Sequence, residues 1–334
     1  MDLESKLAGY QQLIERSLCL WPETSGATAR LLNVSENIMY QIDGHDGFRA
    51  VIRLHRQNNH SKNRIQSELD WINALQLDGV IRTPDIIRGR DGKQIQSVPC
   101  DVDDTADART LRHLVMFEFI DGREAQDTDD ALSLFTTLGQ YAARLHNHSE
   151  RWRVPAGFER AAWNTHSLLG EQPVWGRWQD APGVNGQALP LLNSLGNTVR
   201  ARLQKLGCDK SVYGLIHADM RHANLMVTDG GIRLIDFDDC GSGWHLYDFA
   251  TAVSFIEDHP QLDDYKQAWL SGYRTCRTLA VEVEQEIDTL IMLRRLALLA
   301  WMGTHPEVAI VQELQGQYAA GTLELAEAYL LQCH

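Results

Sequence analysis

The chain has 334 residues, of which 44% are hydrophobic and 23% are charged, and its formal net charge is −14. This length is enough for two lobes with separate cores, and the composition is ordinary for a globular protein. The acidic charge argues against nucleic acid as a partner, because phosphate backbones require a basic surface. An acidic surface would attract a cationic acceptor such as an amine, although solubility explains the charge more simply.

Three further features bear on location. No run of about 18 apolar residues occurs, so we expect no membrane partner and no membrane span. Residues 1–18 are acidic and amphipathic, and they lack the basic region and apolar core of a signal peptide. The six cysteines are scattered without a Cys-x-x-Cys pair, which is typical of free thiols in a reducing cytoplasm. We therefore expect a cytoplasmic protein, and the sequence indicates no particular oligomeric state.

The first predicted elements are strands of alternating apolar and polar residues at 29–34, 38–42 and 48–54. The polar loop 33–37 joins the first two strands and contains Ser35. The Ser35 hydroxyl and the loop amides could bind nucleotide phosphates, and the alternative is a plain hairpin turn. Arg53 faces the same side of the third strand as Val51, where its planar guanidinium could hold phosphates. The alternative for Arg53 is a side chain that points to solvent.

A helix is predicted at 61–77, because apolar residues recur there at helical spacing. Glu68 lies in the middle of this helix, fifteen residues after Arg53, and is the natural partner to position that cation. The alternative is a solvated Glu68 on the polar face of the helix. A buried strand, 113–120, follows and runs into a turn at 121–123.

The rest of the chain is predicted to be mainly helical. Asp127 or Thr128 can cap the helix that starts there, and the many Trp, Pro and Gly residues at 150–187 disfavour regular helix. The helix that starts at Asp127 is predicted to end at residue 148, and a short strand is predicted at 212–216, before His217. Further helices are predicted at 191–206, 245–257, 261–279, 283–303 and 308–331.

The segment HADMRHANLMVTDGGIRLIDFDD, residues 217–239, carries the clearest chemical signal. Asp219 and Asn224 lie in a tight polar loop, and Asp236 follows a predicted hairpin whose turn is Asp229-Gly230-Gly231. The hairpin folds Asp236 back towards Asn224, so one amide and two carboxylates converge. Kinase-type phosphotransfer needs such groups, because one must face the acceptor hydroxyl and two oxygen ligands must hold Mg²⁺.

HADMRHAN resembles the H-x-D-x-x-x-x-N loop of the aminoglycoside phosphotransferase and choline kinase superfamily, and LIDFDD resembles its I-D-x-[DE] metal segment. GSGWHLYDFATAV is similar to the G-x-x-x-x-D-[LF]-A segment of the same superfamily. WHLYD and LRRLALLAWMGTHPE are most similar to RdoA-like stress-response kinases and type II homoserine kinases. The resemblance implies an α+β, two-lobed, protein-kinase-like fold. The N-lobe, residues 1–120, would hold an antiparallel sheet with one helix, and the C-lobe, residues 121–334, would be mainly helical.

The resemblance also implies ATP and Mg²⁺ as cofactors and assigns roles to the candidate residues. Asp219 would orient the acceptor hydroxyl and take its proton, while Asn224 and Asp236 would ligate Mg²⁺. Asp238 would reach a second metal ion or lie in the outer shell of the first. The remaining positions would bind the nucleotide, through the phosphates or at the hinge between lobes: Ser35, Arg53, Glu68, Phe117, Glu118 and Phe119.

The leading functional hypothesis is an ATP-dependent phosphotransferase acting on a hydroxyl of a small molecule, such as an amino alcohol, a homoserine-like compound, a sugar or an aminoglycoside. A Ser/Thr protein kinase is the second hypothesis, although no A-P-E element is found. A nucleotide-binding regulator without turnover is the third. A transition-metal site made of His217, Asp219 and His222 is a rival interpretation of the loop, and it leaves Asn224 and LIDFDD unexplained.

Overall fold

The computed structural model describes residues 3–34, 37–57, 60–102, 110–125, 130–314 and 316–333. One antiparallel sheet occupies the N-terminal third and comprises β1 (Thr28–Val34), β2 (Ile38–Asp43), β3 (Arg49–Leu54), β4 (Ile86–Ile87), β5 (Ile95–Cys100) and β6 (Thr110–Glu118). Its order is β1-β2-β3-β6-β4, and β5 also pairs with β6. The three strands predicted at the start of the chain are present to within one residue at each end. The predicted strand 113–120 begins earlier and ends at Glu118.

Two helices pack against this sheet, α1 (Leu3–Ser17) and α2 (Lys62–Leu77). Leu13 and Ile14 of α1 are buried in one hydrophobic cluster with the sheet residues Ile42 and Ile52. The predicted helix 61–77 is confirmed, and Ser61 caps it by accepting a hydrogen bond from the Arg64 amide at 3.2 Å. The apolar face of α2 belongs to a second hydrophobic cluster, which it shares with the C-terminal helices.

The C-terminal region is mainly helical, as predicted. Its helices are α3 (Ala131–Arg151), α4 (Thr165–Leu169), α5 (Leu189–Leu206), α6 (Tyr247–Ala252), α7 (Leu262–Arg274), α8 (Val281–Glu284), α9 (Ile287–Thr304), α10 (Ala309–Leu314) and α11 (Gln317–Gln332). Within the described ranges, every helix is too short or too polar to cross a bilayer.

Several predicted helix boundaries are wrong. The helix predicted at 245–257 ends at Ala252, and Phe255 just beyond it has a φ of +71°, which a right-handed helix cannot accommodate. The helix predicted at 308–331 is two helices, because Gly316 between them has a φ of +79°. Asp130 caps α3 through the Ser133 amide, whereas the predicted caps Asp127 and Thr128 lie outside the described residues.

Two small sheets carry the polar segments. The first contains β7 (Arg123–Glu124), β10 (Leu225–Thr228) and β11 (Gly231–Leu234), and the second contains β8 (Ala161–Trp163), β9 (Tyr213–Ile216) and β12 (Gly241–Trp244). The sequence did not predict β7, β8 or β12. A Cβ atom at Gly241 would overlap the Ala161 carbonyl oxygen, so glycine permits the parallel pairing of β12 with β8. The antiparallel pairing of β12 with β9 fixes the strand that leads to His217.

Helices α3 and α7 cross at two glycines. A Cβ atom on Gly139 would overlap the carbonyl oxygen of Trp269, and one on Gly272 would overlap the carbonyl oxygen of Thr136. Backbone oxygen atoms within helices cannot swing aside as side-chain atoms do, so both positions require glycine for this close approach. The crossing brings together side chains that support the polar loop described below.

We predict that Gly139→Ala lowers the free energy of unfolding by about 3 kcal/mol, because the added methyl group forces the two helix backbones apart. Urea unfolding followed by circular dichroism would measure the change. Gly186→Ala is the matched control, since a Cβ atom there meets nothing within 4 Å. Equal stability of the two variants would show that the glycine crossing is not required.

Candidate active site

The polar loop at residues 217–224 follows β9 and holds an unusual backbone conformation. Ala218 has a φ of +64°, a left-handed backbone conformation that is energetically unfavourable for any residue other than glycine. The buried Asp248 carboxylate compensates, because it accepts hydrogen bonds from the amides of His217 at 3.2 Å and Ala218 at 2.7 Å. Asp248 is the aspartate of the G-x-x-x-x-D-[LF]-A segment, and the sequence analysis predicted no role for it.

Two helices hold Asp248 in turn. His146 of α3 bonds to Asp248 through Nε2 at 3.0 Å and to the Tyr273 hydroxyl of α7 through Nδ1 at 3.0 Å. Burial lowers the pKa of His146 well below its usual value, so the ring is neutral and donates one N–H. Burial also raises the pKa of Asp248 to about 6. The crossing of α3 and α7 therefore supports the 217–224 loop.

Asp219 lies at the centre of the candidate site. Arg221 Nε lies 3.0 Å from Oδ1 and 3.2 Å from Oδ2 of its carboxylate, and Arg294 Nη2 lies 3.3 Å from Oδ1. Asn224 Nδ2 donates to Asp219 Oδ2 at 2.8 Å. Burial opposes ionisation, but the two guanidinium groups outweigh it and the pKa of Asp219 lies below its usual value.

Arg294 is a site residue that sequence reasoning missed. It lies on α9, is 3% exposed, and reaches the site from a helix that is apolar on nearly every side. The signal that could have identified it is the Arg294-Arg295 pair in that apolar run, because charged side chains are rarely buried without a partner. Arg295 turns away from the site and pairs with Glu257 at 2.6 Å.

The structure brings Arg53 and Glu68 together. Arg53 Nη2 lies 2.7 Å from both carboxylate oxygens of Glu68, and the two residues are 3% and 0% exposed. Arg53 Nη1 lies 3.5 Å from Asp236 Oδ1, so the cation links α2 to the second carboxylate of the site. The ring of Phe117 packs 5.2 Å from the guanidinium carbon.

Asp236 and Asp238 follow the β10–β11 hairpin. The Ile235 amide donates to the Asn224 carbonyl at 2.9 Å, which places Asp236 beside the 217–224 loop as predicted. Half of the Asp236 side-chain surface is open to solvent, but the protein packed around the carboxyl group hinders its hydration. This desolvation, together with the nearby carboxylates of Asp238 and Asp219, raises the pKa of Asp236 to about 7 against the lowering effect of Arg53. The Asp236 backbone has a φ of +60°.

Asp238 lies deeper and is 6% exposed. Its Oδ2 accepts a hydrogen bond from Asn37 Nδ2 at 2.8 Å, and its Oδ1 is 3.9 Å from Arg53 Nη1. His55 and His60 also lie within 4 Å of the carboxylate. Asp238 thus has several protein partners on the side of the N-terminal sheet, and its role as a metal ligand stays a prediction.

The predicted hinge lies at the end of β6. The Glu118 amide donates to the Asp85 carbonyl at 2.8 Å, and the Phe119 amide donates to the Arg49 carbonyl at 3.4 Å. Both amides are thus already engaged, while the Glu118 carboxylate pairs with Arg233. Ser35 lies outside the described residues.

The structure does not assemble the rival metal site. His217 Nδ1 accepts a hydrogen bond from the Asp219 amide at 3.3 Å, and its Nε2 lies 3.2 Å from the Ile235 carbonyl oxygen. The His222 ring packs against Phe135 with centroids 4.7 Å apart. Among the described residues, no three His, Cys, Asp or Glu side chains are grouped to hold a metal ion.

The Arg53–Glu68 pair yields a stability prediction. Glu68→Ala should lower the free energy of unfolding by about 3–5 kcal/mol, because it leaves a buried guanidinium without its closest carboxylate. Asp121→Ala is the control: it removes a carboxylate from the exposed Arg49–Asp121 pair and should change stability by less than about 1 kcal/mol. Denaturant titrations that gave both variants the same stability would contradict the structural importance of the buried pair.

Comparison with known proteins agrees with this geometry. A solved structure of a microcompartment-associated aminopropanol kinase is 42% identical, has a TM-score of 0.87, and matches 96% of this chain and 98% of its own. Amicoumacin kinase from Bacillus subtilis (strain 168) is 26% identical over 263 residues, covering 78% of this chain and 72% of that protein. The amicoumacin kinase hAmiN, solved with AMP-PNP, Ca²⁺ and Ami, has a TM-score of 0.75 at 21% identity and shares the fold over 97% of this chain and 96% of its own.

The predicted α+β protein-kinase-like fold and the resemblance to the aminoglycoside phosphotransferase and choline kinase superfamily are thereby confirmed. The narrower resemblance to stress-response and homoserine kinases stays a prediction. The profile of the Phosphotransferase enzyme family matches residues 28–279, about three quarters of the sequence. The chain belongs to the Phosphotransferase enzyme family.

Proposed function

We propose that this protein is a kinase that transfers the γ-phosphate of ATP to a hydroxyl group of a small, amine-bearing molecule. The observation that carries the proposal is the convergence of Asp219, Asn224 and Asp236 beside the Arg53–Glu68 pair. The aminopropanol kinase, at 42% identity over nearly the whole chain, supports an amino-alcohol-like acceptor. The acidic net charge favours a cationic acceptor in the same way.

On the nucleotide side, Arg53 is the candidate phosphate contact. Glu68 holds Nη2 of the Arg53 guanidinium, while Nη1 faces Asp236. The α- and β-phosphates would bind near this Nη1 group. Because the amides of Glu118 and Phe119 are engaged, we propose that adenine lies against Phe117 and meets hinge groups beyond Phe119. The N-lobe would then end near residue 120, between β6 and β7. Ser35 stays a proposed phosphate contact.

The donor groups fit a divalent cation. Asn224 commits its amide N–H₂ to the main-chain and side-chain oxygens of Asp219 at 2.8 Å, which leaves its oxygen free to act as a ligand. Asp236 offers a half-exposed carboxylate beside it. Hard oxygen ligands of this kind suit Mg²⁺, with nucleotide phosphates completing the set. When bound, the ion would neutralise phosphate charge, and Asp238 would support it from behind Asp236.

On the acceptor side, Asp219 would orient the hydroxyl and accept its proton. The acceptor oxygen forms a bond to the γ-phosphorus, the bond from that phosphorus to the bridging oxygen breaks, and ADP leaves. Two guanidinium groups make Asp219 a weak base, which suits a loose transition state in which the proton departs late. We propose that Arg221, which contacts Asp219, meets the transferred phosphate.

The chain after Asp238 favours a small acceptor over a protein. It enters β12 at Gly241 and α6 at Tyr247, so the described chain leaves no room for a long activation segment between metal segment and helix. All six cysteines are free, and we propose a reducing, cytoplasmic location on that basis. A regulator without turnover would not require Asp219 to be held ionised at the mouth of the site.

The experiment measures ADP release from Mg·ATP with ethanolamine, 1-amino-2-propanol and other small hydroxyl compounds, for the parent protein and for Asp219→Ala. We predict turnover on an amine-bearing acceptor and a loss of kcat of about 10²–10⁴-fold in the variant, because the hydroxyl loses its proton acceptor. Asp229→Ala, in the hairpin turn, is a control that should keep parental kcat. A variant at position 219 within tenfold of the parent would refute the role of Asp219.

A further inference from the structure

The segment at residues 157–163 lies between two parts of the candidate site that are far apart in the sequence. One part is helix α2, which carries Glu68, and the other is the 236–240 segment, which carries Asp236 and Asp238. The 157–163 segment is irregular up to Arg160 and then forms β8, which pairs with β12. It contains none of the family motifs, yet it makes hydrogen bonds to both parts of the site.

On one side, the 157–163 segment binds three consecutive main-chain carbonyl groups, those of residues 238–240. Arg160 Nε donates to the Cys240 carbonyl at 2.7 Å, and Arg160 Nη2 donates to the Asp238 carbonyl. Trp163 Nε1 donates to the Asp239 carbonyl between them at 2.7 Å. A guanidinium presents its donors in a rigid planar fork, so it fixes the direction of the carbonyl groups that it holds. The main chain that carries Asp238 is therefore held from behind.

On the other side, the same segment contacts the first two turns of α2. Arg160 Nη1 donates to the Arg64 carbonyl at 3.0 Å, and the Glu159 amide donates to Ser67 Oγ at 2.8 Å. Ser67 immediately precedes Glu68 in the helix, and Arg64 lies about one turn before it. These contacts therefore hold the part of α2 from which the Glu68 carboxylate reaches into the site.

Arg160 is the side chain at which the two sides meet. Three different nitrogen atoms of its guanidinium donate to three carbonyl groups, one on α2 and two in the 236–240 segment. A lysine would present all of its donors from one atom, and a methionine would present none. One arginine side chain thus ties α2 to the main chain beside the candidate metal ligands.

The two parts that Arg160 joins would hold one ligand between them. Arg53, which Glu68 positions, is the candidate phosphate contact, and its Nη1 lies 3.5 Å from Oδ1 of the candidate metal ligand Asp236. The nucleotide phosphates and their cation must meet both groups at once, so their binding depends on the separation of α2 from the 236–240 segment.

We propose that Arg160 is a positioning residue for Mg·ATP, which sets the distance between Arg53 and Asp236 by holding α2 and the 236–240 segment together. The inference rests on the proposed function and extends it to a residue outside the motifs. Arg160 acts through the main chain, because its three hydrogen bonds go to carbonyl groups. The irregular segment before β8 thereby receives a role that the sequence did not indicate.

Arg160→Met tests the inference, because it removes all three donors and keeps an unbranched side chain. Calorimetric titration with Mg·AMP-PNP should give a Kd about 10- to 100-fold higher than that of the parent protein, which is the usual effect of removing a group that holds metal ligands in place. In turnover assays KM for Mg·ATP should rise to a similar extent, while KM for the acceptor stays within about twofold. Arg160→Lys retains the charge and should recover part of the nucleotide affinity.

Arg200→Met is the matched control. Arg200 also donates from a guanidinium to a main-chain carbonyl, that of Leu169 at 2.6 Å, but it lies on α5 and its contact is with α4. Both substitutions remove such bonds and lower stability, whereas only Arg160→Met should weaken nucleotide binding. Hydrogen exchange of the nucleotide-free proteins gives a readout that needs no ligand: amides at 64–68 and 236–241 should exchange faster in Arg160→Met than in Arg200→Met.

Ser67→Ala cuts the same bridge from the α2 side, because it removes the acceptor of the Glu159 amide. This smaller change keeps the inference testable if Arg160→Met fails to fold, and it should raise the Kd of Mg·AMP-PNP by about 2- to 10-fold. In the double variant the effects on Kd should multiply to less than the product of the single effects, because either cut alone releases α2.

Two results would overturn the inference and leave the proposed kinase function standing. One is an Arg160→Met protein that binds Mg·AMP-PNP as tightly as Arg200→Met does, with equal exchange at 64–68 and 236–241. The other is an equal rise of KM for Mg·ATP and for the acceptor, which would show a general structural effect of Arg160. A parent protein that fails to bind Mg·AMP-PNP would instead refute the proposed function together with the positioning role.

Discussion

The 217–224 loop keeps Ala218 in a left-handed conformation because the Asp248 carboxylate accepts hydrogen bonds from the amides of His217 and Ala218. Without that acceptor, the chain would relax to a commoner backbone conformation and Asp219 would point elsewhere. Asp248 depends on His146 and Tyr273, which approach only because α3 and α7 cross at glycines. The direction of the Asp219 carboxylate therefore depends on the packing of two helices, α3 and α7.

Charge is arranged in alternation across the site. Glu68, Arg53 and Asp236 form one series, and Arg221, Asp219 and Arg294 form another. Such buried charges are costly unless each has a partner, so the arrangement fixes positions more than it adds stability.

One group in these series is incompletely matched, the Asp236 carboxylate, because half of its side chain is open to solvent. It is the point at which a cation would complete the network. An enzyme needs such groups, because partners that are satisfied only by ligands favour binding over the empty site.

Local patterns predicted what depends on neighbouring residues. The early strands, α2 and the β10–β11 hairpin follow from periodicity and turn residues, and the Arg53–Glu68 pair follows from a strand and a helix placed side by side. Contacts between distant segments could not be predicted in this way. Arg294 contacts Asp219, which lies 75 residues earlier in the sequence. Strand β12 forms because glycine allows close pairing with β8. Helix α6 ends at Ala252, shortly before Phe255 with its positive φ.

The central claim is that Asp219 directs phosphate to a hydroxyl oxygen of a small molecule. Phosphorus NMR of a reaction that contains Mg·ATP and an amine-bearing hydroxyl compound tests it most directly, because oxygen-linked and nitrogen-linked phosphates give different resonances. The account predicts a phosphomonoester signal that grows together with ADP in the parent protein and is missing in Asp219→Ala. A nitrogen-linked product, inorganic phosphate as the only product, or an undiminished ester signal in the variant would contradict it.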